Sequence, residues 1–429
     1  MEELKEIDTD IKYYKGWKVS RLKNRWMEVF ILPEIGGRMM QILSNEYEYL
    51  FVNKNLEGQK PHSKTNDDQW ENFGGEKIWP GPQGWGSDHM WPGPPDVVLD
   101  TGVYQSSVMN VEGNTKISLK SEVEILSGLQ IDRTIELNQD CSEIVIHAKM
   151  TNHHDAAAEW SVWPVAQMNS ADLQSVNRYC VTSPRCLGGN FDKGYTVLHG
   201  LVNNPQVRKD EFQNIVLDYQ YLVGKIGIDN REGWVAYADR SEGKVAVFLF
   251  DYVEGAAYPQ DTSVQIWTQG RGMIYSRGQV KSFDDQLITT PPYLEVELLS
   301  PLKKIGKGES VEFSYKIRIC TIPKMLSVLG NREVGVIAQP LSVKYDDNDI
   351  HITGGFGCFY EGLAKLEVMN LRDEVVFERI IGSVDPLQKL HIDEVVGKGE
   401  FKEEEWALVI LNIYKEGSST IGELNRIEL

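Results

Sequence analysis

The stretch LQIDRTIELNQDCSEIVIHAKMTN, residues 129–152, decides the fold class. Leu129, Ile131, Arg133, Ile135 and Leu137 fall on one side of a period of two, and Gln130, Asp132, Thr134 and Glu136 on the other. Ile144, Ile146, Ala148 and Met150 repeat the pattern after a turn at 138–142. Such alternation predicts an antiparallel pair with one buried face. Downstream runs at 159–168, 233–238, 244–250, 263–268, 293–299 and 310–320 read as further strands. Upstream, WMEVFILP (26–33), EIGGRMMQIL (34–43) and Tyr47–Val52 do the same, with Gly36–Gly37 as a turn. No long amphipathic helix pattern interrupts them. An all-β chain follows, its first 325 residues forming a large two-sheet β-sandwich. The run 320–340, CTIPKMLSVLGNREVGVIAQP, reads as a linker or short helix. Beyond it, turns recur at roughly ten-residue intervals over 335–429, the spacing of a small immunoglobulin-like sandwich. GGFGC at 354–358 reads as a strand bend. This second domain is expected to support the fold or to make oligomer contacts, and homo-oligomer formation stays open.

The totals narrow the function. A chain of 429 residues exceeds one ordinary core, and 41% apolar with 25% charged residues is a globular composition. A net charge of −19 argues against nucleic acid and anionic membrane as partners, because phosphates would be repelled. The charged N-terminus lacks an apolar signal segment and no run is long enough to span a bilayer, so a cytoplasmic setting is expected. Five cysteines without CxxC spacing suggest neither disulfides nor a zinc site. HExxH, GxSxG, P-loop and GxGxxG patterns are all absent, so no metal and no cofactor is expected.

The candidate site begins at 70–104, WENFGGEKIWPGPQGWGSDHMWPGPPDVVLDTGVY. Glycines and prolines break every period there, which predicts a long structured loop. Trp79, Trp85 and Trp91 beside Asn72, Glu76, Lys77, Gln83 and His89 offer aromatic faces and polar groups. That mixture suits a sugar, whose C–H face packs on rings while its hydroxyls need partners. The competing reading is a loop stapled over the core by its tryptophans. In PPYLEVELLSP (291–301), alternation sets Glu295 and Glu297 on one face about 7 Å apart. Two desolvated carboxylates at that spacing would push one pKa upward and suit proton transfer, whereas a solvated face would leave both ordinary. Arg38 and Arg271 are further candidates for a substrate carboxylate or phosphate.

LPEIGGRMMQI (32–42), NFGGEKIWPGPQ (72–83), TNHHDAAAEWSVWPVAQ (151–167) and ELLSPLKKIGKGES (297–310) resemble the galactose mutarotase-like superfamily, more narrowly its DUF4380-type branch. The resemblance spans about 17–322. It implies a β-supersandwich with a carbohydrate-sized groove, and Trp163 and Gln167 among its lining. The superfamily's aldose 1-epimerases open a hemiacetal ring with a carboxylate base and a histidine acid. By position the base falls on Glu297, with Glu295 two residues away as competitor, and Lys77 stands in for a sugar-contacting arginine. The departure is at Trp163-Pro164-Val165, where the epimerases carry His-Pro-Tyr. The acid must then be His89 or Lys77, or the chemistry is lost. The expected activity is therefore mutarotase-type isomerisation of a free sugar or sugar acid, and the alternative is a non-catalytic carbohydrate-binding or sensing protein.

Overall fold

Residues 129–152 form the expected hairpin, with Leu129–Leu137 paired antiparallel to Glu143–Asn152 in a register running from Ile144↔Leu137 to Asn152↔Leu129. The computed structural model describes residues 10–429 except 67, 85–89, 112–113, 174–176, 277–278, 284–290, 347–348, 398–405 and 416–418. Nearly all regular structure is antiparallel sheet, so the chain is all-β. Among the described residues no helix is long and apolar enough to cross a membrane.

Two large sheets dominate. The twelve-stranded one runs through Arg38–Ser44, Glu76–Gly81, Ala158–Asn169, Tyr293–Leu298, Val264–Thr268 and Gly224–Ile228 in spatial order. The ten-stranded one contains the hairpin above and Ser310–Thr321. Their inner faces meet: Arg133, on the apolar side of the hairpin, donates to Glu76 across the sandwich at 2.6 Å. The Tyr315 hydroxyl donates to the same carboxylate. Arg133 and Glu76 are both buried. Desolvating both charges is expensive, so such a pair persists only with close geometry and further hydrogen bonds. Here it ties the strand Glu76–Gly81 to the opposite sheet and fixes which of its residues point inward.

That strand corrects the expectation for 70–104, which is not loop throughout. Ser161–Ala166 supplies a full antiparallel partner, and Met39↔Glu76 pairs its other side. Pairing beyond Glu76 is one-sided there, a setting that tolerates Pro80 without its N–H. Two glycine turns make the approach close enough. Gly74 has φ +97 and a Cβ there would lie 2.1 Å from the Phe51 carbonyl oxygen; Gly36 has φ +65 and would strike the Asp100 carbonyl oxygen at 2.1 Å.

The chain divides into two compact units, one made of Met1–Gln139, Ile144–Tyr237 and Phe248–Ile317, the other of Asp140–Glu143, Ala238–Val247 and Arg318–Leu429. In the second, two four-stranded sheets share one apolar core: Ile350, Ile352 and Ile392 from one, Leu366, Val368 and Leu411 from the other. The run 320–340 holds no helix: 322–329 is an irregular connection and the rest is largely strand. Gly330–Arg332 and Gly335–Tyr345 pair as a hairpin, because Val334 and Val336 are drawn into buried positions. GGFGC lies inside the strand Asp349–Cys358, and the irregularity falls on its partner, whose register shifts on both sides of Gln339, opposite Gly355.

Candidate functional site

The face of the twelve-stranded sheet that points away from Arg133 carries an unusual band of polar side chains. Register places them side by side. Lys77 is opposite Val165, which is opposite Glu297; Gln167 is opposite Glu295, which is opposite Trp267; Trp267 is opposite Lys225. Directly opposed residues share a face. Trp79 and Trp163 oppose one another on the same side. All of these residues belong to the first unit.

Glu297 is fully buried, and one of its oxygens, Oε2, accepts from Trp163 Nε1 at 2.7 Å and from the Lys225 ammonium at 2.8 Å. Glu295 accepts from Gln167 Nε2 at 2.7 Å. Three buried polar atoms on this band have no hydrogen-bond partner among the described residues: Lys77 Nζ, Gln167 Oε1 and Glu297 Oε1. Leaving such groups unpaired costs about 1–3 kcal/mol each, so buried polar atoms of this kind normally have partners.

Burial, reinforced by the charge of Glu297, pushes the Glu295 carboxyl up to about 7 against the pull of Lys77 and Gln167. Burial likewise pushes the Lys77 ammonium down to about 8, with Glu295 the strongest charge opposing that shift. A carboxyl and an amine are thus brought toward neutrality from opposite directions, the condition for proton exchange near pH 7.

The tryptophans are arranged differently from a simple stacking wall. The Lys77 ammonium lies 4.8 Å from the Trp79 ring centre and Lys225 lies 4.4 Å from that of Trp163, so each ring holds one of the protein's own cations. Trp79 Nε1 donates to Asp100 at 3.3 Å and Trp70 Nε1 at 2.9 Å. Trp91 is buried, donates to Asp96 at 2.7 Å and packs on Trp79 and Trp163. Trp91 is therefore a structural staple rather than a substrate platform. The indole of Trp267 is half-buried, next to Glu295 and 5.4 Å from the His199 ring.

Several expected residues stand elsewhere. Glu76 faces between the sheets, held by Arg133 and Tyr315, because its strand alternates it away from Lys77. Arg38 is buried and spends its nitrogens on the carbonyls of Ile35, Gly74 and Asp100 and on the Asp100 carboxylate. It clamps loops, with four of its five N–H donors held within the protein. Asn72 accepts from Gly74 and Asn53, but its side chain also hydrogen-bonds Tyr293 on the strand of Glu295 and Glu297, so it stays at the border of the band; Gln83, bridged to Trp91, donates weakly to Pro92 at 3.4 Å. Arg271 lies beyond the end of Val264–Thr268, bridged through its backbone to Tyr221 and Val223. Trp85 and His89 lie outside the described residues. Among the described residues no group of His, Cys, Asp or Glu is placed to hold a metal ion.

A family model described as a domain of unknown function, DUF4380, matches residues 18–313. The chain belongs to the DUF4380 family. The match includes every residue of the polar band. No curated protein matches the chain. Among solved structures, the DUF4380 chain is similar to a TPR-domain containing protein from Parabacteroides distasonis at 13% identity and a TM-score of 0.46, covering 70% of this chain and 46% of that one, about half its length. It is also similar to a galactose mutarotase-like protein from Lactobacillus casei (12% identity, TM-score 0.42, 70% and 99% covered). A third likeness is to a galactose mutarotase-like protein from Clostridium acetobutylicum (11%, 0.44, 74% and 99%).

Sequence reasoning missed Lys225, Trp267 and Asp100. The first two carried a signal: a lysine within the apolar run Gly224–Ile228, and an alternation that sets Gln265 and Trp267 opposite Ile266. Nothing local marks Asp100, whose partners Arg38, Trp70 and Trp79 are at least 21 residues away.

Proposed function

We propose that this DUF4380 protein binds a free aldose or sugar acid on the polar band and catalyses opening and closure of its ring. The observation that carries the reading is the set of unpartnered buried atoms Lys77 Nζ, Gln167 Oε1 and Glu297 Oε1 beside Glu295. Hydroxyl groups both donate and accept, so a sugar meets all three at once. Glu295 takes the anomeric hydroxyl proton while Lys77 donates one to the ring oxygen. The C–O bond breaks and the open-chain aldehyde forms. Closure on the other face returns both protons. Glu297, held by Trp163 and Lys225, binds a hydroxyl, and Trp267 packs against the sugar's C–H face. This assigns the base to Glu295, leaving Glu297 to recognition. Positioned acid and base groups contribute ~10²–10⁴-fold. Magnetisation-exchange NMR between anomers of a panel of aldoses and uronates tests it: no acceleration at all, with ligand binding intact, defeats the catalytic reading.

One observation favours binding without turnover. Trp163 stands where the resemblance places the acid histidine, and its N–H is committed to Glu297. A sugar-binding protein would give micromolar-class binding with anomer exchange at the uncatalysed rate.

A further inference from the structure

Two lysines share the band but not the same state. Lys225 is ion-paired with Glu297 at 2.8 Å, so its nitrogen is engaged. Lys77 is fully buried, its Nζ has no hydrogen-bond partner, and it lies against the Trp79 ring. An amine removed from water and left unsolvated is the arrangement that makes lysine a nucleophile toward carbonyl carbon. From this geometry we infer that Lys77 captures the carbonyl carbon of a hydroxyaldehyde or open-chain aldose as an imine, with Glu295 moving the protons. The inference rests on the proposed sugar site, since the same ring opening would present the aldehyde there.

The step balances within the pair. Neutral Lys77 Nζ adds to the carbonyl carbon; the C–N bond forms as the C=O π bond breaks, and protonated Glu295 gives its proton to the oxygen. The Glu295 carboxylate then takes a proton from the nitrogen, leaving a neutral carbinolamine. Glu295 returns that proton to the hydroxyl, the C–O bond breaks, water leaves and the nitrogen lone pair forms the C=N bond. The products are a protonated imine on Lys77 and an ionised Glu295. Burial, which lowers the Lys77 pKa to about 8, makes the neutral amine available in mildly alkaline solution.

The test uses the full chain, D-glyceraldehyde and sodium cyanoborohydride at about pH 8, followed by digestion and mass mapping of every lysine. Hydride reduces the imine to a stable secondary amine. The expected result is modification of Lys77 at least about ten-fold faster than of Lys225 or of exposed lysines. Labelling of Lys77 no faster than that of exposed lysines overturns the inference. Lys77→Arg keeps the charge and must lose the fast adduct, and persistence of fast labelling elsewhere on the sheet in that variant also overturns it. Glyceraldehyde needs no ring opening, so the two readings fail separately. Anomer exchange without labelling removes the nucleophile and leaves the acid–base site, whereas labelling without exchange removes the mutarotase and leaves the nucleophile.

Discussion

Replacing Lys77 by Met is expected to stabilise the protein while abolishing the proposed ring opening. The residue is a fully buried ammonium without a hydrogen-bond partner. Its pKa falls from 10.5 to about 8, chiefly through burial. By linkage, a drop of that size corresponds to a ceiling of about 3 kcal/mol of destabilisation by the charged form. Part of that is returned, because Glu295 loses its attractive neighbour. The net expectation is a gain of about 1–3 kcal/mol at pH 7 for Met, which matches the lysine stem in length and leaves no orphaned donor. The sign with pH is fixed by the direction of the shift. Because the folded pKa lies below the unfolded one, the penalty is complete below about pH 8, declines as pH rises, and vanishes above 10.5. Urea unfolding of both proteins from pH 7 to 11 measures it, the curves of stability against pH converging at the alkaline end. A Met variant less stable than wild type at pH 7, or a gap independent of pH, refutes the account of Lys77 as an unsatisfied buried amine.

Four further expectations can be checked. Anomer exchange should follow a bell, rising through about pH 7 as Glu295 ionises and falling through about pH 8 as Lys77 loses its proton; a rate flat from pH 6 to 9 contradicts the pair. Glu295→Gln should reduce kcat by ~10²-fold or more, whereas Glu297→Gln should chiefly raise KM, and the reverse split would restore Glu297 as the base. Arg133→Met should cost about 3–5 kcal/mol in denaturant unfolding by stranding Glu76, and most of that should return in Arg133→Met combined with Glu76→Leu. Gly74→Ala should lower stability by ~1–3 kcal/mol for its left-handed backbone alone, with the Phe51 carbonyl clash adding to it; a melting temperature equal to wild type would show that the turn adapts.

The sequence alone determined that the chain is all-β, because a period of two is a local property of neighbouring residues. The alternation of 129–152 and of Glu295 with Glu297 is legible without knowing what either strand touches. Arg133 could be seen on an apolar face, but its partner Glu76 is 57 positions away and lies on the other sheet. Only the tertiary structure decided which side of the Glu76–Gly81 strand faces the core, and hence that Lys77 joins the two glutamates while Glu76 leaves them. It also decided that Trp79 and Trp163 hold the protein's own cations and that Lys225 completes the band. Charge pairing and burial depend on which strands lie side by side, and sheet order is set by long-range registers that no short stretch of sequence contains.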